Sequence, residues 1–179
     1  MTIYLIRHGK TAANEQHLYC GSTDLNLSPA GLEALKTLNY EVGKCQFVTS
    51  GMLRTEQTLS ALFGDVPHEV EPDFREIDFG AFEMKSYEQL KDNPDYQAWL
   101  TGDNQANTPP GGESGNAMTQ RALTAYQALS QDTVVITHGG VIAAIMESLF
   151  PQEGKNRYQW QPKPGHGYKI TDNTYISIP

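Results

Sequence analysis

Short runs of apolar and β-branched residues recur along the chain, with longer amphipathic patterns between them. The runs lie at residues 2–6, 46–49 and 133–137. Short strands that are apolar throughout are typical of a sheet buried on both faces, as parallel sheets usually are. Their alternation with helical patterns predicts an α/β fold, a three-layer sandwich in which helices cover both faces of a mainly parallel central sheet.

The helical patterns carry start and stop signals. Ser28 suits the N-cap of a helix and Pro29 its first turn, while Gly64 and Pro151 each end a pattern. We predict four longer helices, at about residues 29–38, 52–63, 114–129 and 141–150. A short strand is expected at 68–70, and residues 168–178 predict a hairpin that gives the sheet an antiparallel edge.

The segment from about residue 72 to 112 differs in composition from the rest of the chain. Aromatic side chains stand there among many polar residues. Two short helical patterns lie near 86–91 and 94–101, and a loop rich in proline and glycine follows them. We interpret the segment as a small lid inserted into a single domain that covers residues 1–179.

Composition and charge narrow the classes of function. A net charge of −8 argues against nucleic acid or an anionic membrane as the main partner. No apolar run approaches the length of a membrane span. The chain begins directly with a strand pattern, so no signal peptide is expected, and Cys20 and Cys45 do not make a disulfide framework. We therefore expect a cytoplasmic protein.

Cationic and imidazole side chains follow the ends of the three predicted strands. Arg7 and His8 come directly after the first strand. Arg54 lies in the helical turn after the second, and His138 follows the third. Because the carboxyl ends of parallel strands meet at one edge, we expect these side chains to lie together. Arginine forks and helix N-termini both suit phosphate oxygens, so the sequence predicts a phosphate pocket in an otherwise acidic protein.

The residues around this pocket also suit phosphoryl transfer. Gly139, like Gly140, lets the backbone approach a ligand closely. Histidine can act as a nucleophile in phosphoryl transfer when an acid protonates the leaving oxygen. Glu76, which lies between aromatic residues at the base of the lid, is the best candidate for the acid. Asp78 and Glu83 are the less favoured alternatives.

Two other classes of phosphatase site are not indicated. Neither cysteine is followed six residues later by an arginine, as a cysteine-based phosphatase would require. No cluster of His, Cys and Asp has the spacing of a metal site. We therefore expect no metal and no other cofactor.

Six stretches together resemble the ordered motifs of the histidine phosphatase superfamily, whose fold is phosphoglycerate-mutase-like. They are residues 7–14, 19–28, 50–58, 74–80, 110–114 and 135–141. Several motifs in order over nearly the whole chain are far more specific than a lone Arg-His-Gly.

The resemblance implies a role for each candidate residue. His8 is expected to be the nucleophile and to become phosphohistidine, and Glu76 is expected to protonate the leaving group and then activate water. Arg7, Arg54 and His138 are expected to clamp the phosphoryl oxygens in place of a metal. The substrate-binding positions that it implies near the pocket are Asn14, Gly21, Ser22, Thr23, Glu113 and Ser114.

The shortness of the chain and the order of its motifs resemble the small phosphatase branch, which includes α-ribazole phosphatases. Lys10, the pair Glu83-Met84 and the short lid depart from the branch pattern and leave the substrate open. We expect a small phosphorylated metabolite with a neutral or aromatic remainder, which Phe79, Phe82 and Trp99 could hold. Mutase-type phosphoryl transfer and phospho-ligand binding without turnover are the alternatives, and the oligomeric state is not predicted.

Overall fold

A mixed six-stranded sheet forms the centre of the structure, a computed structural model that describes residues 1–179. The strands, in chain order, are β1 (Thr2–Arg7), β2 (Gln46–Thr49), β3 (Glu69–Val70), β4 (Thr133–Thr137), β5 (Gly167–Thr171) and β6 (Thr174–Ile178). Their order across the sheet is β3-β2-β4-β1-β5-β6. The first four run parallel, whereas β5 and β6 form an antiparallel edge. The predicted α/β class with this mixed sheet is confirmed.

Eight α-helices surround the sheet. They are α1 (Ala12–Glu15), α2 (Pro29–Leu35), α3 (Leu53–Phe63), α4 (Tyr87–Leu90), α5 (Pro94–Leu100), α6 (Gly115–Ala128), α7 (Gly139–Leu149) and α8 (Arg157–Trp160). Short 3-10 helices lie at Pro72–Phe74, Gly80–Phe82 and Pro151–Glu153. None of the helices combines the length and the apolar character that crossing a bilayer requires.

Strand β1 illustrates why the sheet is buried on both faces. Ile3 and Leu5 belong to a core that includes residues of α6 and α7. Tyr4 and Ile6 belong to a second core that includes Leu59 of α3. Alternate side chains of one strand point to opposite faces, so an apolar run can fill both cores at once.

Two helix bounds differ from the predicted ones by more than one residue. Helix α2 ends at Leu35, because the next residues form a tighter turn in which the Thr37 hydroxyl donates to the carbonyl of Ala34 (2.7 Å). Helix α7 begins at Gly139 rather than 141, since His138 at the end of β4 already acts as its N-cap. The four-residue helices α1 and α8 are too short to leave a periodic signal.

The segment from 72 to 112 has a largely aromatic cluster of its own. Phe82, Leu90 and Tyr96 are the buried members of this cluster, and Tyr19 and Trp99 pack against them. The Tyr19 hydroxyl lies 2.7 Å from that of Tyr96, which ties the segment to the loop after α1. Its role as a lid within one domain stays a prediction.

Candidate active site

The pairing of β1 with β4 fixes the backbone of the candidate site. Arg7 lies opposite Thr137 in the register, and the His8 N–H donates to the Thr137 carbonyl (2.9 Å). His8 and His138 therefore leave the sheet side by side, and their ring centroids lie 5.1 Å apart. The expectation that parallel strands deliver these side chains to one edge agrees with this geometry.

The His8 ring is held as one neutral tautomer. Its Nδ1 atom lies 2.6 Å from the Gly9 carbonyl oxygen, which can only accept, so Nδ1 carries the proton. Burial lowers the pKa of His8 well below its ordinary value, and the charges of Arg54 and Arg7 lower it further. The Nε2 atom, which makes no hydrogen bond within the chain, is left with a free lone pair.

His138 is fully buried beside it and contacts the ring of His8 edge-on. Its Nε2 atom lies 2.8 Å from Oγ of Ser50, while its buried Nδ1 atom has no hydrogen-bond partner. Burial, followed by the charge of Arg54, lowers the pKa of His138 well below its ordinary value. Most buried nitrogens in proteins have a hydrogen-bond partner, so this one is unusual.

Two arginines supply positive charge to the two histidines. Arg54, in the first turn of α3, is only 1% exposed and donates to the carbonyls of Gly21 (2.7 Å) and Thr23 (2.9 Å). Arg7 donates to the Pro162 carbonyl (2.8 Å), and its buried Nε atom has no partner. Burial lowers the pKa of Arg7, and the carboxylate of Glu76 opposes that shift. Five donors on each guanidinium leave N–H groups free for an anion.

Glu76 lies against the N-terminus of α7. Its carboxylate accepts from the N–H of Gly140 (3.0 Å) and from the N–H of Ile77 (3.0 Å). A Cβ atom on Gly140 would lie 2.5 Å from Oε1 of Glu76, so only glycine permits this approach. In the same way, a Cβ on Gly139 would lie 3.0 Å from Cζ of Arg7.

A cavity of about 190 Å³ opens beside Glu76. Aromatic and apolar side chains line it together with polar groups. The lining residues are Tyr19, Glu76, Ile77, Phe79, Trp99, Leu100, Asn104, Gln105, Gly115, Met118, Gly140, Arg157, Tyr158 and Gln161. Phe79 and Trp99 therefore face the cavity, as the sequence indicates, whereas Phe82 is buried in the aromatic cluster.

The loop at Gly21, Ser22 and Thr23 lies beside Arg54 and is hydrogen-bonded to Glu83 of the segment 72–112. The N–H groups of Gly21 and Ser22 and the Thr23 hydroxyl donate to the carboxylate of Glu83. The remaining alternative acid, Asp78, accepts from the Ser22 hydroxyl (2.9 Å) and the Gly80 N–H (2.8 Å). Neither carboxylate lines the cavity, which leaves Glu76 as the carboxyl group beside it.

Three other predicted binding residues have local contacts of their own. Asn14 closes a capping box with Thr11 at the start of α1. Glu113 forms an ion pair with Arg121 (2.8 Å), and Ser114 is the N-cap of α6. None of the three lines the cavity, and their part in substrate binding stays a prediction.

The sequence did not indicate several residues that the site brings together. Ser50 was only part of a motif, although it contacts His138. Tyr158, Arg157 and Gln161 line the cavity from α8 and the residue after it, where no periodic pattern marks them. Tyr19 was recognisable only as an aromatic residue next to the pocket loop.

Comparison with known proteins identifies the family of this site. A family model described as the histidine phosphatase superfamily (branch 1) matches residues 3–171. The chain belongs to the histidine phosphatase superfamily. The recognition of this family from the six motifs is thereby confirmed, and so is the conclusion that the enzyme is a phosphatase.

The named relatives of this chain differ from one another in the activity that their names give. An adenosylcobalamin/α-ribazole phosphatase from Salmonella typhimurium is 29% identical over 177 residues, covering 92% of this chain and 87% of the relative. A metal-independent phosphoserine phosphatase from Arabidopsis thaliana is 27% identical over 157 residues, covering 80% of this chain and 66% of that one. A solved structure of a phosphoglycerate mutase from Thermus thermophilus superposes with a TM-score of 0.82 at 29% identity, covering 100% of this chain and 99% of the other. The fold is phosphoglycerate-mutase-like.

Proposed function

We propose that this enzyme is a metal-independent phosphomonoesterase that works through a phosphohistidine at His8. The observation that carries the proposal is the neutral His8 ring, whose Nε2 lone pair is free beside Arg7, Arg54 and His138. An imidazole in this state is a ready nucleophile, and cations around it stabilise the charge on the equatorial phosphoryl oxygens.

In the first step the bond from phosphorus to Nε2 of His8 forms as the bond from phosphorus to the ester oxygen breaks. The leaving oxygen takes a proton from the carboxyl group of Glu76. This proton neutralises the charge that develops on the leaving oxygen. The contact between Glu76 and the N–H of Gly140 holds the acid at the edge of the cavity.

In the second step a water molecule replaces the leaving group. The carboxylate of Glu76 takes one proton from this water as its oxygen attacks phosphorus, and His8 leaves as the neutral ring. Inorganic phosphate is released and Glu76 is protonated again, so the cycle closes without a metal. Arg7, Arg54 and His138 hold the phosphoryl oxygens in both steps.

The cavity beside Glu76 supports a substrate with a planar aromatic leaving group. Tyr19, Phe79, Trp99 and Tyr158 line it, and such rings stack favourably on flat partners. Because Glu76 lines the cavity, a leaving group bound there has the acid beside it. Relatives named as α-ribazole phosphatases make α-ribazole phosphate the substrate that we propose first.

Exposed Tyr158 gives a test of this substrate assignment. It is 82% exposed, so Tyr158→Ala is expected to fold normally. For α-ribazole phosphate and phenyl phosphate, kcat/KM should fall about 10-fold, as the loss of one stacked ring implies. For glycerol phosphate it should not change. Tyr87→Ala is the matched control, because Tyr87 is an exposed lid residue (57%) that does not line the cavity. Equal losses for all three esters would contradict the assignment.

A substrate panel distinguishes the proposed activity from the mutase alternative. The panel includes α-ribazole phosphate, phosphoserine, and 3-phosphoglycerate in the presence of 2,3-bisphosphoglycerate. We expect release of inorganic phosphate with the highest kcat/KM for α-ribazole phosphate. Conversion of 3-phosphoglycerate to its isomer without release of phosphate would support the mutase reaction instead.

A further inference from the structure

The carboxylate of Glu83 has an unusual number of hydrogen-bond donors around it. The N–H groups of Gly21 (3.0 Å), Ser22 (2.8 Å) and Phe79 (3.0 Å) all point at it. The hydroxyl of Thr23 (2.9 Å) donates to it as well. All of these neighbours are donors, and an ionised carboxylate suits them because its oxygens only accept.

The loop that Glu83 holds is the same loop that holds Arg54. Arg54 donates to the carbonyls of Gly21 (2.7 Å) and Thr23 (2.9 Å), while the Gly21 N–H and the Thr23 hydroxyl donate to Glu83. The two charged side chains therefore bind one short loop, Arg54 through its carbonyl groups and Glu83 through its N–H and hydroxyl groups. A shift of this loop would move the carbonyls that orient the guanidinium.

Close packing leaves the loop little freedom of its own. A Cβ atom on Gly21 would lie 1.7 Å from the carbonyl oxygen of Ile77, the residue after Glu76. The loop thus touches the backbone beside the proposed acid and is bound by Glu83 from the same lid segment. The loop therefore contacts both Arg54 and the backbone next to Glu76.

We propose that Glu83 is a positioning residue, which fixes the loop at Gly21–Thr23 so that the Arg54 guanidinium is oriented toward the phosphoryl group. This inference rests on the proposed function, because it assumes that Arg54 holds the phosphoryl oxygens. Glu83 contacts neither the cavity nor His8, and its effect on the reaction passes through Arg54.

The substitution Glu83→Gln tests the proposal. It keeps the size of the side chain but places an amide donor against the donors of Gly21 and Thr23, so the loop loses part of its support. We expect kcat/KM to fall about 10-fold to 100-fold, since a misplaced catalytic contact has that order of effect. In the same variant the inhibition constant of inorganic phosphate should rise. Glu88→Gln is the matched control, because Glu88 is an exposed lid carboxylate that pairs only with Lys91.

A double variant separates positioning from a general structural role. If Glu83 acts through Arg54, then Arg54→Gln combined with Glu83→Gln should be no worse than Arg54→Gln alone, to within about twofold. Thermal unfolding midpoints of all variants are measured alongside. Unchanged kinetics in Glu83→Gln, or losses that multiply in the double variant, would overturn the positioning role. Full activity in Arg54→Gln would instead contradict the proposed function itself.

Discussion

The Oγ atom of Ser50 lies 2.8 Å from Nε2 of His138, and both side chains are fully buried. Ser50 follows the last residue of β2, and His138 follows the last residue of β4, so the contact joins two neighbouring strand ends. The Thr55 hydroxyl also lies near Ser50 (3.1 Å) but donates to the Met52 carbonyl. When Ser50 donates to Nε2, the proton of His138 is placed on Nδ1, the buried nitrogen without a partner.

Removing the Ser50 hydroxyl should weaken the contact that we propose between His138 and the phosphoryl group. We expect Ser50→Ala to lower kcat/KM about 10-fold, the effect of losing one buried hydrogen bond. The ¹⁵N shifts of the His138 ring should move from the Nδ1–H form toward a mixture of tautomers. Ser60→Ala, at an exposed position of α3, is the control. Unchanged ring shifts in Ser50→Ala would contradict the role of the hydroxyl.

The two buried histidines make stability depend on pH in a definite direction. Burial and the neighbouring arginines lower the pKa of both His8 and His138 below the value of about 6.5 expected in the unfolded chain. Below that pH the unfolded chain binds more protons than the folded one, so the free energy of unfolding falls on acidification. Each histidine contributes a slope of up to about 1.4 kcal/mol per pH unit.

Urea unfolding between about pH 5 and pH 7 measures this slope. In His138→Asn we expect the part of the slope that comes from the two histidines to fall by about half. The matched control is His17→Asn, because His17 is exposed and its φ of 54° is one that asparagine tolerates. A slope in His138→Asn that equals the wild-type slope would show that the buried ring does not titrate as described.

A methyl group at position 140 should act first on Glu76, because the three atoms nearest to it all belong to that carboxyl group. The added Cβ in Gly140→Ala would lie 2.5 Å from Oε1 of Glu76 and displace the carboxyl group. We expect hydrolysis of alkyl phosphates, which need an acid, to slow about 100-fold, and that of nitrophenyl phosphate to change far less. Gly43→Ala is the control, since no atom lies within 4 Å of the added methyl group. Equal losses for both esters would argue against Glu76 as the acid.

The parts of the fold and site that depend on local pattern could be predicted from the sequence. The apolar runs of strands β1, β2 and β4 are visible in the sequence. The carboxyl ends of these strands determine where Arg7, His8 and His138 lie. Ser28 is the N-cap of α2, with Pro29 in its first turn, as the pattern indicates. These features follow from a few neighbouring residues or from the geometry of any parallel sheet.

The parts that depend on contacts between distant residues could not be predicted. Glu83 was an alternative acid in the sequence, but donors about sixty positions away occupy its carboxylate. Phe82 was one of three aromatic residues that could hold a leaving group, and it packs within the aromatic cluster. The Tyr158 side chain lines the cavity from a four-residue helix that has no periodic pattern. No local sequence pattern in these stretches specifies which distant residues the side chain contacts.

Direct detection of phosphohistidine tests the central claim of this account. Rapid quenching in base of a reaction with ³²P-labelled substrate should trap label on the protein, at a level approaching one phosphoryl group per chain and stable in base but lost in acid. In His8→Asn the label should disappear and turnover should fall by about six orders of magnitude, as when an enzymatic nucleophile is removed. The control variant His17→Asn should be labelled like the wild type. A folded His8→Asn protein that is still labelled, or that hydrolyses phosphoesters at the wild-type rate, would contradict the claim.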